Sequence, residues 1–246
     1  MKNKTPLLGI LGGLGPMSTV YFCELLIGHT KAESDADHID MLVSCRATTP
    51  DRTAFILGKS DRDPLPVMRE EAHRLCNAGV DRIVIPCNTA HYFYEGLCQD
   101  LPVPTINIIE ETVLYLKRRG IKTLGLLATE GTVKSRAYEK ICAREELTCL
   151  VPTEEQQARI SSIIYDEIKQ NKAADTASLT AIAEDLCTRG CERLVLGCTE
   201  LSLLKPSLSD RLPFVDSLEV LAYKTILACG KTPIGFSSDF SGEDRI

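Results

Sequence analysis

The sequence predicts an α/β protein of two pseudo-symmetric lobes, each a parallel sheet with helices on both faces, facing each other across a cleft. Three observations carry that expectation. Apolar strand-like runs alternate with helical ones, which favours parallel strands joined by helical crossovers. The segments LLGILGGLGPMSTV and KTLGLLATEGTVKS share one layout, with Gly9 and Gly125 lying 116 positions apart. CNAGVDRIVIPCNTA and CTRGCERLVLGCTEL can be laid over each other, with Cys87 and Cys198 separated by 111. Two unrelated motifs at nearly one offset indicate an internal duplication.

In chain order, LLGILGG reads as the first strand and TVYFCELLIGHT as the helix after it. HIDMLVSC is the next strand, followed by a polar, turn-rich loop, TTPDRTAFILGKSDRDP. PLPVMREEAHRLCNAG is a helix, DRIVIPC a strand and VPTINII a further strand. ETVLYLKRRG is a helix that carries its basic residues and glycine at the C-terminal end, where the helix dipole and a left-handed cap favour them. These elements make a first lobe over 1–115. The second lobe, 116–216, repeats the order from KTLGLLA to ERLVLGC. PFVDSLEVLAYKTILACG then supplies one long amphipathic helix. With the polar tail it forms a segment, 217–246, expected to pack back on the first lobe.

The 246 residues (27.1 kDa) suffice for a real core, and 44% hydrophobic with 25% charged residues is a soluble globular balance. A formal charge of −6 without a long basic tract argues against nucleic acid or an anionic membrane as partner. No apolar run reaches bilayer length. The lysines at the start precede an apolar run that enters a glycine loop, so the run reads as a strand, not a signal peptide. Eleven cysteines, odd in number and scattered, point to a reduced, cytoplasmic setting. Cys187 and Cys191 sit four apart with no histidine cluster near them, which is little support for zinc.

Cys87 and Cys198 fall at the carboxyl ends of equivalent strands, where open parallel sheets bind ligands. One thiolate can remove a proton while an opposing thiol returns one, and at an amino-acid α-carbon this inverts the stereocentre. Asn88, Thr89 and Thr199, next to the cysteines, suit a carboxylate or simply cap a helix. Gly12, Gly13 and Gly15 allow tight turns that bring backbone N–H groups near an anion, and Ser18 and Thr19 add hydroxyls. That loop is only loosely like a dinucleotide fingerprint, and Pro16 argues against one. His91 either pairs with Cys87 across one turn or is a satisfied polar residue. Arg52 either grips a carboxylate with its planar fork or lies on the surface paired with Asp51.

Together, GILGGLGPMST, PDRT, PCNTAH, INIIEET, GLLATEGTVKS with Tyr138 after it, and GCTEL resemble the cofactor-independent aspartate/glutamate racemase family, above all its aspartate branch. The resemblance spans Leu8 to about Ile226. It implies a two-lobed enzyme, commonly a homodimer, that interconverts L- and D-acidic amino acids with neither pyridoxal phosphate nor metal. It places the catalytic thiols at Cys87 and Cys198 and the α-carboxylate at Asn88, Thr89 and Thr199. The side-chain carboxylate falls to Arg52 and to Lys169, with Lys172 as the alternative. Met17, Ser18 and Thr132 complete the implied substrate-binding set. SCRATT departs from the relatives' pattern, so Arg46 could add a charge to the site. PDRT and the lack of an Asp-Ser before the glycines favour aspartate over glutamate. Maleate isomerases and hydantoin racemases share the architecture and the paired cysteines.

Overall fold

The computed structural model describes residues 5–236. The final stretch of the predicted C-terminal segment, 237–246, lies outside the described residues. Two four-stranded parallel sheets form the frame. In the first, β1 (Leu8–Gly12) lies between β2 (Met41–Cys45) and β3 (Arg82–Val84), and β4 (Thr105–Ile106) pairs with β3. The second repeats that order with β5 (Thr123–Leu127), β6 (Thr148–Leu150), β7 (Arg193–Leu196) and β8 (Phe214–Asp216), giving β6-β5-β7-β8. Register confirms the duplication residue by residue. Gly9 lies opposite Ile83, four residues before Cys87, and Gly125 lies opposite Leu194, four residues before Cys198.

The first lobe carries α1 (Pro16–Gly28), α2 (Arg52–Ile56), α3 (Leu65–Asn77), α4 (Tyr94–Cys98) and α5 (Ile108–Arg118). The second carries α6 (Glu130–Lys134), α7 (Ala137–Arg144), α8 (Glu154–Ser162), α9 (Thr176–Thr188), α10 (Thr199–Ser202) and α11 (Ser217–Ala228). Met68, Ala72 and Leu75 recur at helical spacing in α3 and are buried against the first sheet. Pro16 opens α1 at a position where its missing N–H costs nothing.

Three segments differ from the sequence expectation. VPTINII is strand only at Thr105–Ile106, because the Asn107 side chain accepts hydrogen bonds from the Ile109 and Glu110 N–H groups and starts α5 there. The turn-rich loop contains α2, whose N-cap is Asp51, accepting from Ala54 N–H at 2.7 Å. The C-terminal helix begins at Ser217, at the start of the 217–246 segment, but ends at Ala228, and Phe214–Asp216 before it are taken up as the edge strand β8.

The closing helices of the two repeats cross over. α5 packs on α7, α11 packs on α1, and α5 and α11 pack on each other. One core cluster therefore joins both lobes, with Leu8 and Ile10 of β1, Leu124 and Leu126 of β5, Val113 of α5 and Leu221 of α11, all but Leu126 wholly inaccessible. Each lobe adds a core of its own, around Ile83 and Ile85 in the first and Leu194 and Leu196 in the second. Beyond α11 the chain returns to the first lobe, where Pro233 bridges to Thr30 and Phe236 stacks on His29.

Candidate active site

Both duplicated cysteines open onto one narrow pocket between the sheets, with Leu14, Asp51, Arg52, Asn88, Thr89, Thr129, Tyr165, Lys169, Thr199 and Glu200 around them. The loop after β1 is held by Gly13, whose φ of +78° and close approach to the Arg46 backbone suit only glycine, and whose N–H donates to Thr19 Oγ1 at 2.9 Å. That fixes the Leu14 carbonyl, which faces the Cys87 thiol at 3.8 Å.

Cys87 and Cys198 are both buried. Burial pushes the Cys87 thiol above its ordinary value even though the Arg52 guanidinium pulls it down. Burial and then the Glu200 carboxylate hold Cys198 well above it. The Cys198 thiol donates to Glu200 Oε2 at 3.1 Å, and Lys169 Nζ lies 3.3 Å from Glu200 Oε1. Burial opposes the Lys169 charge, but Glu200 and Cys198 more than offset it, so the ammonium titrates above the usual lysine value.

Arg52 is not on the surface. It is buried, it opens α2, and its guanidinium donates to the carbonyls of Leu14 and of Pro50, the latter at 3.0 Å. Asp51 does not neutralise it; that carboxylate caps α2 and accepts from the Tyr165 hydroxyl at 3.5 Å. Among the described residues Arg52 has no carboxylate partner, and its Nε has no acceptor. A buried cation in that state can take up an incoming anion.

Asn88 and Thr89 join the lobes. Asn88 Nδ2 donates to Ser217 Oγ at 2.9 Å and its Oδ1 accepts from Tyr138 Oη at 2.7 Å. Thr89 shares a triangle of hydroxyls with Thr129 and Thr132, at 2.9, 2.9 and 3.0 Å. Thr132 stands behind Thr89 in that triangle, and Thr129 lines the pocket instead. Thr199 lines it from the first position of α10.

Met17 and Ser18 border a second cavity beside the first, with Gly15, Pro16, Ile168 and Leu203, and Lys169 and Glu200 form the wall between the two. Of the two lysines, Lys169 lines the pocket and Lys172 does not. A π-helical turn over Ile163–Glu167 precedes Lys169 and turns Tyr165 inward. Arg46 points elsewhere, bonded to Glu70 and Glu71 at 2.7 and 2.6 Å. The His91 ring bridges backbone, with Nδ1 on the Cys87 carbonyl at 2.8 Å and Nε2 accepting from Ile108 N–H at 3.2 Å. It is the satisfied polar residue, not a partner of the thiol. Among the described residues, no group of three or more His, Cys, Asp or Glu side chains could hold a metal.

Glu200, Tyr165 and Thr129 were not singled out in the sequence. Glu200 had a signal, since it sits two residues after Cys198 inside the repeated motif. Tyr165 had none.

Two buried thiols, the buried Arg52 and the Lys169 ammonium gather at one narrow pocket between parallel sheets, an arrangement suited to a stereochemical isomerase. Residues 11–225 match the family described as Asp/Glu/Hydantoin racemase, and the chain belongs to that family and is a racemase-type isomerase. It is 29% identical over 227 residues to the broad specificity amino-acid racemase RacX of Bacillus subtilis, covering 89% of this chain and 96% of that one. The Picrophilus torridus aspartate racemase structure superposes with a TM-score of 0.81 at 28% identity, covering 93% of this chain and 96% of that one. A glutamate racemase of Aquifex aeolicus is 26% identical over 205 residues, 76% of each chain. No helix among the described residues is long and apolar enough to cross a membrane.

Proposed function

We propose that this protein interconverts L- and D-aspartate by acid/base catalysis between Cys87 and Cys198. The observation that carries the substrate assignment is Arg52, a buried cation lining the thiol pocket without a carboxylate partner among the described residues. Arg52 and Lys169 hold the side-chain carboxylate. Asn88, Thr89 and Thr199 hold the α-carboxylate, with Thr132 positioning Thr89 and Ser18 and Met17 closing the neighbouring wall. The α-carbon then lies between the sulfurs; one thiolate takes its proton while the opposite thiol protonates the other face. The pocket walls exclude water, which strengthens stabilisation of the carbanion-like state. All of this chemistry comes from side chains, without pyridoxal phosphate or metal. The similarity to an aspartate racemase supports the substrate class, and the same proposal includes a cytoplasmic homodimer of lobes 1–115 and 116–216, with 217–246 returning to the first.

A second reading rests on the adjoining cavity. Its apolar wall of Pro16, Met17, Ile168 and Leu203 leaves room for a longer side chain, which favours glutamate or a broader amino-acid range. Proton NMR of the enzyme with L-aspartate in deuterated water, with chiral analysis of the product, decides between them. Loss of the α-proton signal with D-aspartate appearing supports the aspartate reading. Exchange with glutamate or neutral amino acids alone sinks it, and a covalent thiol adduct without exchange would indicate a maleate isomerase-like reaction.

A further inference from the structure

The duplication is broken at one place in the pocket. Cys87 is followed two residues later by Thr89, whereas the same position after Cys198 is Glu200. This carboxylate is buried, and it is the only acid bonded to either thiol among the described residues. One oxygen accepts from Cys198 Sγ at 3.1 Å, and the other lies 3.3 Å from Lys169 Nζ without a hydrogen bond of its own. Gly15 makes the space, because a Cβ there would sit 2.5 Å from Glu200 Oε1. Lys169 therefore has two claims on it. It is the counter-charge of Glu200, and in the proposed complex it also receives the substrate's side-chain carboxylate.

We propose that Glu200 couples recognition of the substrate's distal carboxylate to ionisation of Cys198, with Lys169 as the shared cation. This rests on the racemase reading above. When the distal carboxylate engages Lys169, Glu200 loses its counter-charge and becomes the stronger base. The Cys198 S–H bond then breaks, its electron pair stays on sulfur, and the proton forms an O–H bond with Glu200. The net charge of the pair does not change, so the transfer needs no water and no further reactant. The thiolate so formed takes the α-proton and is a thiol again, and Cys87 gives its own proton to the opposite face. Once the product leaves, Glu200 releases its proton to solvent and the Cys87 thiolate takes one up, which restores the starting state. Glu200 acts through Cys198 and is a positioning residue. The other charged or titratable groups facing this pair are Arg52 and Asp51 from the first lobe, Cys87 opposite, and Tyr165 beside Lys169. Arg52 and Asp51 carry opposite charges and are common to all the variants below.

The test is the pH dependence of Cys198 alkylation by iodoacetamide, read on its own peptide by mass spectrometry, in wild type, Lys169→Gln and the double variant Lys169→Gln with Glu200→Gln. Removing the ammonium leaves Glu200 the stronger base, as engagement of Lys169 by the distal carboxylate is proposed to do. Below the wild-type midpoint Cys198 is therefore expected to be alkylated about tenfold faster in K169Q than in wild type, and adding E200Q is expected to abolish that gain. Simple loss of a cation beside the thiolate gives the reverse, slower alkylation in K169Q, and that result overturns the proposal, as does a gain that persists in the double variant. The kinetic readout is the α-proton exchange of aspartate against asparagine, its neutral isostere. Wild type favours aspartate in kcat, and that preference collapses in K169Q and in E200Q, while Arg52 keeps a preference in KM. A retained kcat preference overturns the proposal. If the variants with E200Q fail to fold, the direction of the change in K169Q decides alone. If wild type exchanges no aspartate proton, the racemase reading falls, and the direction in K169Q still tests transfer from Cys198 to Glu200.

Discussion

At the scale of single residues, the site sets the buried Cys87, Cys198, Arg52 and Glu200 around one narrow pocket. Replacing either thiol by a hydroxyl, as in Cys87→Ser or Cys198→Ser, removes an acid/base group of usable pKa. Racemisation of aspartate is expected to fall by roughly 10²–10⁴-fold in each, measured by polarimetry. Arg52→Lys keeps the charge and loses the planar fork, so KM for aspartate should rise by about tenfold or more with a smaller change in kcat. His91 supplies a prediction about stability. Burial lowers its pKa from 6.5 to about 4, against the pull of the carbonyls it faces, so the folded protein keeps the ring neutral. Between pH 6.5 and 4 the unfolded chain binds a proton that the folded one does not. The stability held above pH 6.5 is therefore lost as pH falls through that window, by about 3 kcal/mol in all. Urea titrations at pH 7 and pH 4 should show this loss in wild type beyond that in His91→Gln. Equal losses in the two proteins would mean that the ring does not carry it.

At the scale of elements, caps and crossings set where the functional side chains stand. Asn107 ends β4 and starts α5 within one residue, and His91 ties the Cys87 turn to the same helix start at Ile108. Asn107→Ala is expected to cost about 1 kcal/mol, read as a lower urea midpoint with an unchanged slope. The strand alternation, the helix of α3 and the strand-end position of both cysteines were legible because each depends on residues within one short window. The extent of β4, the helix inside the PDRT loop and the split of the last segment into β8 and α11 were not. In each of these a side-chain cap or an edge pairing overrides the apolar pattern. Asp51 and Asn107 show it directly, since one or two accepted hydrogen bonds shift an element by several residues.

At the scale of the whole molecule, the repeats are not independent, because α5 and α11 exchange partners and build one core between the sheets. Leu221 of α11 is wholly inaccessible in that shared cluster. Leu221→Ala should therefore destabilise the entire chain by about 2–5 kcal/mol in a single transition, not one half of it. Two separate unfolding steps would contradict a shared core. The sequence by itself determined that there are two similar parallel-sheet halves and that each presents a cysteine at the mouth of a buried strand. A duplicated motif and its hydrophobic period are local properties that survive being read one window at a time. Only the tertiary structure decided that Lys169 and not Lys172 reaches the pocket, that Arg46 turns to Glu70 and Glu71, and that Thr132 supports Thr89 from behind. It alone placed Asn88 between Tyr138 and Ser217, and the Glu200 carboxylate between Cys198 and Lys169. Apart from Cys198 and Glu200, these partners lie far apart in the chain. Arg46 meets Glu70 and Glu71, and Lys169 meets Glu200, through the folding of one lobe, while the Asn88 and Thr89 contacts depend on how the two sheets pack across the shared core; no single window of sequence contains either.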